Sequence, residues 1–128
     1  MIIKFAVASD DLKNLTTEHF GEAKRYLIYS FDLETGNITF LEDRKNTTTE
    51  EETHGDSKKA KAISEVLGDI SVLINLVFGP NIIRIKKRFV VVVSRVKEIK
   101  KVLEKLKLKK EIIEKNLNKK DKEIIYLE

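Results

Sequence analysis

Ile70-Ser71-Val72-Leu73-Ile74-Asn75-Leu76-Val77-Phe78, followed by Gly79-Pro80-Asn81, is the stretch on which the fold turns. The run is far shorter than the ~20 apolar residues a membrane helix needs. Its length suits a strand covered on both faces, which reads as continuous rather than alternating hydrophobicity. Asn75 inside the run requires a hydrogen-bond partner or a place at the strand end. Gly79-Pro80 breaks the strand. Pro80 suits the first turn of a short helix, because the N–H it lacks would have no intrahelical partner there. That helix carries Ile82, Ile83 and Ile85 with Arg84, Lys86 and Lys87, and Phe89 to Val93 then repeats the apolar pattern. Strand, helix and strand in this order imply a parallel crossover.

Upstream, Ile2 to Ala8 reads as a first strand that stops at Ser9-Asp10-Asp11. Residues 9–25 form a polar connection, long for a small domain and therefore a place to look for function. Tyr26 to Asp32 and Ile38 to Arg44 read as a hairpin about Glu34-Thr35-Gly36-Asn37, where Gly and Asn tolerate positive φ. Residues 46–56 form a second polar loop. Asp56 or Ser57 then caps a helix with Ala60, Ile63, Val66 and Leu67 on one face and Gly68 as its stop. Downstream, Ser94 is placed to cap a helix with Val96, Ile99, Val102, Leu103 and Leu106 on one stripe. Ile112, Ile113 and Leu117 extend that pattern or begin a further segment. The apolar tail Ile124-Ile125-Tyr126-Leu127 must be covered by this subunit or by a neighbour, which leaves monomer and homodimer open.

The expected architecture is α/β, in the order β-β-β-α-β-α-β-α, with a mixed five-stranded sheet and helices on its faces. This is the three-layer arrangement of ribonuclease H-like domains. One domain is expected over residues 1–108, with residues 109–128 as a charged C-terminal extension. Ligands in such sheets bind at the carboxyl ends of the parallel strands. Ser9-Asp10 and Gly79-Pro80-Asn81 should meet there.

Composition narrows the functional classes. The 128 residues include no cysteine, so disulfides, thiolate zinc sites and a self-sufficient iron–sulfur site are excluded. The two histidines, His19 and His54, are the softest metal ligands the chain has apart from its single methionine. Met1-Ile2-Ile3-Lys4 enters a strand directly, so a cytoplasmic location without a leader or membrane span is expected. Richness in Lys, Glu and Ile fits a hot-growing organism or an AT-rich genome. Residues 1–56 hold 6 basic and 12 acidic side chains, net −6, and residues 57–128 hold 19 and 9, net +10. A basic half implies either an acidic partner, protein or nucleic acid, or lysines solvating helix faces. The interleaved Glu and the scarcity of aromatics favour solvated faces over nucleic acid.

Three loop motifs carry a resemblance. Ala6-Val7-Ala8-Ser9 leads to Glu18-His19-Phe20-Gly21, with Ala23 and Tyr26-Leu27-Ile28-Tyr29 after it. His54-Gly55 precedes the first long helix, and Gly79-Pro80-Asn81 follows the fourth strand. In this order and strand context the chain resembles the nitrogenase iron–molybdenum cofactor biosynthesis and carrier family over roughly residues 2–93. The resemblance implies a non-catalytic carrier of an iron–molybdenum or iron–sulfur cluster or its precursor, served by cluster-donating or cluster-accepting proteins. It implies cofactor binding by Ser9, His19, Phe20, Gly21, His54, Gly55, Gly79, Pro80 and Asn81, with His19 and His54 as metal ligands. Family members have a more glycine-rich approach to the Gly-Pro-Asn turn. Here Asn75-Leu76-Val77-Phe78 is bulky, and the helix after it is basic.

The chemistry of the residues allows this and one competitor. Neutral imidazole is a good ligand for iron, and N–H groups at the start of the Pro80 helix, with Arg84 and Lys86, would favour an anionic cluster. Alternatively both histidines are loop residues hydrogen-bonded to backbone, and the basic C-terminal half, Lys97 to Lys122, is an electrostatic docking module. Catalysis lacks its parts. There is no Gly-x-Ser-x-Gly, no Walker-type loop, and no cluster of carboxylates for two-metal hydrolysis beyond Asp10 and Glu65.

Overall fold

The computed structural model describes residues 1–47 and 63–128. Strands β1 (Ile2–Ser9), β2 (Arg25–Asp32), β3 (Ile38–Lys45), β4 (Val72–Asn75), β5 (Val90–Ser94) and β6 (Ile125–Leu127) form one sheet in the order β3-β2-β1-β4-β5-β6. β1, β2 and β3 pair antiparallel, and β1, β4, β5 and β6 pair parallel. Residues 63–67 are helical (α1), and α2 (Ile82–Ile85), α3 (Ile99–Leu106) and α4 (Lys110–Leu117) follow. The mixed α/β reading holds. The sheet, however, has six strands rather than the expected five, and the order gains a final β.

The sixth strand answers the question posed by the apolar tail. Ile125 and Leu127 are buried against the chain's own core, with Val92 and Ser94 as their sheet partners. Residues 110–127 thus contribute Ile113 on α4 and two strand residues to the main core. Lys86 reinforces this closure, its ammonium reaching Lys122 O at 2.9 Å and Asp121 at 3.2 Å.

Period-two alternation splits the core in two. Phe5, Val7, Tyr29, Val72, Ile74, Val90 and Val92 face α3 and α4, together with Ile99, Val102, Leu106 and Ile113. Ala6, Ala8, Ile28, Leu73 and Val91 face the other way, against Ile63 and Leu67 of α1 and Ile85 of α2. The second face carries two alanines on β1. The bulk it needs comes from Phe20, Tyr26, Phe78 and Phe89, all at most 3% exposed.

Two elements are shorter than the apolar pattern predicts. β4 ends at Asn75, not Phe78, because the Asn75 amide turns to bond two carbonyls and Val77 O accepts from a loop instead of a strand. α3 begins at Ile99 rather than just after Ser94. The Ser94 hydroxyl accepts from Val96 N–H and donates to Val96 O, forming a local turn, not a helix cap. The hairpin turn is as read: Gly36 has φ +83°, and the Asp32 carboxylate accepts from Glu34 N–H at 2.9 Å. No helix among the described residues is long and apolar enough to cross a membrane.

Candidate functional site

The site is built where the connection leaving β1 meets the turn leaving β4. Asp10, just past β1, fastens both ends of that connection. Its carboxylate accepts from Thr16 Oγ1 at 2.8 Å and from Lys24 N–H at 2.9 Å. Thr16 N–H donates to Ala8 O at 3.0 Å, and Thr16 Oγ1 accepts from Glu18 N–H at 3.1 Å. These bonds deliver the chain to His19 in an extended conformation, φ −59° and ψ 150°.

His19 is clamped on both flanks. Glu18 O accepts from Asn75 Nδ2 at 2.9 Å, and Phe20 N–H donates to Val77 O at 2.9 Å. Asn75 Nδ2 also donates to Val77 O at 2.9 Å. Both partners of that amide nitrogen are carbonyls, so only this orientation of the side chain makes chemical sense. The Asn75 carbonyl oxygen is consequently buried without a partner.

Behind His19 stands an aromatic stack. The Phe20 ring lies parallel to Phe78 at 5.0 Å and 6°, and against Tyr26 at 5.0 Å and 29°. The Tyr26 hydroxyl donates to Phe20 O at 2.9 Å, and burial pushes this phenol well above its ordinary range. Asn46 Nδ2, just past β3, reaches Ala23 O at 2.8 Å and Gly21 O at 3.1 Å. The bulky Leu76-Val77-Phe78 segment therefore has a use: Phe78 and the Val77 carbonyl hold the histidine loop down.

The imidazole of His19 lies directly over Gly79. A Cβ on Gly79 would sit 2.5 Å from His19 Nδ1 and 2.8 Å from Cε1, and Gly79 has φ +76°. Both facts demand glycine there. Because Nδ1, Cε1 and Cγ are the ring atoms facing the glycine, the Nε2–Cδ2 edge is turned away from it. The residue is exposed, and its side chain makes no hydrogen bond among the described residues. A loop histidine bonded to backbone, the alternative raised above, is not what is found at His19.

The other expected site residues are placed as follows. Phe20 is buried in the stack, and Gly21 lies against Ile63, whose Cδ1 would be 3.2 Å from an added Cβ. Pro80 is exposed beside His19's glycine. Asn81 is buried, its backbone oxygen accepts from Arg84 and Ile85 N–H, and its side-chain oxygen has no partner. Ser9 is buried at the far side of the connection, donating to Asn14 O at 2.6 Å and accepting from Leu12 N–H at 3.0 Å. His54 and Gly55 lie outside the described residues, as does the cap at Asp56 or Ser57. α2 is a single turn, and Ile82 N–H is taken by Gly79 O, so it presents no array of free N–H groups. Lys86 is turned to Asp121.

Sequence reading missed Asn75, Val77, Phe78 and Asn46 as supports of the loop. An asparagine in an apolar run was the one available clue. Among the described residues no three His, Cys, Asp or Glu side chains converge to hold a metal ion. The family model described as dinitrogenase iron-molybdenum cofactor matches residues 1–109. No curated protein and no solved structure matches the chain.

Proposed function

As the chain belongs to the dinitrogenase iron-molybdenum cofactor family, we propose that it is a non-catalytic carrier. Its cargo is an iron–molybdenum or iron–sulfur cluster or precursor, received from one cytoplasmic protein and passed to another. The observation that supports this most is the His19 imidazole held over Gly79, with its Nε2 edge free and its backbone clamped on both sides. In this reading the domain is a ribonuclease H-like three-layer fold whose strand-end loops present the ligand.

The donor set fits cargo better than a resident ion. A bare metal ion needs three or four converging protein ligands, which the described residues do not offer. A preassembled cluster brings its own sulfide ligands and needs few from the protein. One oriented imidazole, with His54 as a second ligand, gives capture without tight retention, which suits transfer. The ring is preorganised, so little ordering cost falls on binding.

The test is anaerobic titration with isolated iron–molybdenum cofactor and, separately, with a synthetic iron–sulfur cluster, followed by absorption and metal analysis. Stoichiometric uptake lost in His19→Ala and retained in Lys107→Ala, an exposed residue outside the candidate site, is the expected result. Equal uptake by His19→Ala removes His19 from the site. No uptake of either cluster by the parent overturns the carrier reading.

A further inference from the structure

On the sheet face opposite His19 a half-open groove of about 540 Å³ lies between the Leu12–Asn14 loop and the start of α3. Leu12, Lys13, Asn14, Tyr29, Glu98, Ile99, Lys100 and Leu103 line it, two lysines against one carboxylate. The volume falls within the ~300–1,000 Å³ range of small-molecule sites. Its chemistry is mixed in a particular way. Leu12, Ile99, Leu103 and the Tyr29 ring are apolar. Lys13 and Lys100 are exposed and make no ion pair among the described residues. Glu98 has Lys101 near it, at 3.9 Å.

Tyr29 is the groove's most telling member. Its ring stacks on Phe5 at 5.1 Å, and Phe40 meets it edge-on at 5.5 Å. Its hydroxyl has no hydrogen-bond partner among the described residues and is accessible to solvent, so it is open to a ligand in the groove.

The loop forming one wall is strained and tied by hydrogen bonds. Leu12 has φ +72°, the only non-glycine residue of positive φ among those described, and it is 48% exposed. A leucine held left-handed and presented to solvent costs free energy and calls for a reason. Ser9 and Asp11 impose the conformation. The Ser9 hydroxyl accepts from Leu12 N–H, and the Asp11 carboxylate accepts from Lys13 and Asn14 N–H at 2.9 and 2.8 Å. The loop is then stitched to the approach of α3: Leu15 N–H donates to Lys97 O at 2.8 Å, and Ile99 N–H donates to Lys13 O at 2.9 Å. Backbone hydrogen bonds thus tie the two walls to each other.

We infer that this groove is a second ligand site, and that it takes a small organic anion with an apolar, ring-sized body. The apolar body lies on Leu12, Leu103 and the Tyr29 ring. The anionic group is met by Lys13 and Lys100, and the Tyr29 hydroxyl donates to it. The site is separate from His19, so cluster uptake by His19→Ala and anion binding here are independent measurements.

The test uses the full chain and 8-anilinonaphthalene-1-sulfonate, an apolar sulfonate, read by fluorescence titration and by amide chemical-shift mapping. Binding should saturate at one molecule per chain, with shifts at Leu12–Asn14, Tyr29 and Glu98–Leu103. Lys13→Glu/Lys100→Glu should weaken it by about tenfold or more, and Tyr29→Phe by a few-fold. Lys107→Glu/Lys120→Glu makes the same charge change away from the groove and should leave binding nearly unaltered. Absence of saturable binding, shifts centred elsewhere, or equal losses in the two double variants would each overturn the assignment. Unchanged amide spectra of the unbound variants establish that they fold.

Discussion

Residues 10–15 and residues 18–23 belong to one connection between β1 and β2, yet different physics holds them. The first half is knotted by small polar side chains: Ser9 and Asp11 accept from Leu12, Lys13 and Asn14 N–H, and Asp10 and Thr16 reach on to Lys24 and Glu18 N–H. The second half is held by rings and amides, with Phe20 between Phe78 and Tyr26, and Asn46 and Asn75 bonding its carbonyls. A polar knot is cheap in volume and depends on charge. An aromatic clamp depends on volume and ignores pH. The difference teaches where each half is vulnerable, and it places the candidate cluster ligand on the half held mainly by ring packing and amides.

Four experiments press on that difference. Phe78→Ala removes a buried ring from the clamp and should cost about 3–5 kcal/mol in a urea unfolding experiment. Phe20→Ala should cost a similar amount, and the double variant less than the two together, because the rings share one cavity. Strict additivity would show that the stack is not a unit.

Gly79→Ala is the next largest, about 1–3 kcal/mol, since the new methyl meets the His19 ring at a positive φ. Its distinguishing result is a displaced His19 ring, seen as changed imidazole proton shifts. An unmoved ring would show that Gly79 does not set the ligand's position.

Asn46→Ala should cost about 1–2 kcal/mol, because it strips a donor from the Gly21 and Ala23 carbonyls. The loss belongs to the clamp half, so the Lys13 and Asn14 amides should keep their shifts. Movement of those amides in the variant would join the two halves.

The smallest effect is acid on the polar knot. Hydrogen bonds from the Asn14 side chain, and from the Asn14 and Lys13 backbone, hold the Asp11 carboxyl far below the usual carboxylate range. The folded-state value lies below the unfolded one, so the contribution is complete above roughly pH 4, the unfolded carboxylate value. It declines as pH falls from there through the folded value. Amide shifts of Lys13 and Asn14 should move across that window while Phe20 and Val77 stay still. Simultaneous movement of both sets would show that the halves are not independent. The exposed position of Asp11 keeps the global effect slight.

Much of the sheet could be read from the chain because its information is local. β-branched runs, Gly36 in the hairpin and Gly79-Pro80 after β4 each act within a few residues. The errors have local causes as well. Leu76, Val77 and Phe78 look like strand residues, and apolar periodicity does not say whether a buried residue serves a ladder or a clamp. Ile125 to Leu127 is three residues long, too short for its apolarity to announce a sheet partner, and only the free edge of β5 makes it a strand.

The site divides the same way. His19 and Gly79 stood out as residue types, one a metal ligand and the other a residue that fits where no side chain does. That they belong together is a tertiary fact, set across 59 intervening residues and by the parallel register of β1 and β4. Nothing near Asn75 in sequence states that its amide will bond Glu18, and nothing near Leu12 states that its loop will wall a groove with α3. Composition and short-range pattern determined that this chain is an α/β protein without cysteine chemistry. Packing across the sheet decided which loops face each other, because a contact between distant segments depends on both partners and on the strand register that brings them opposite.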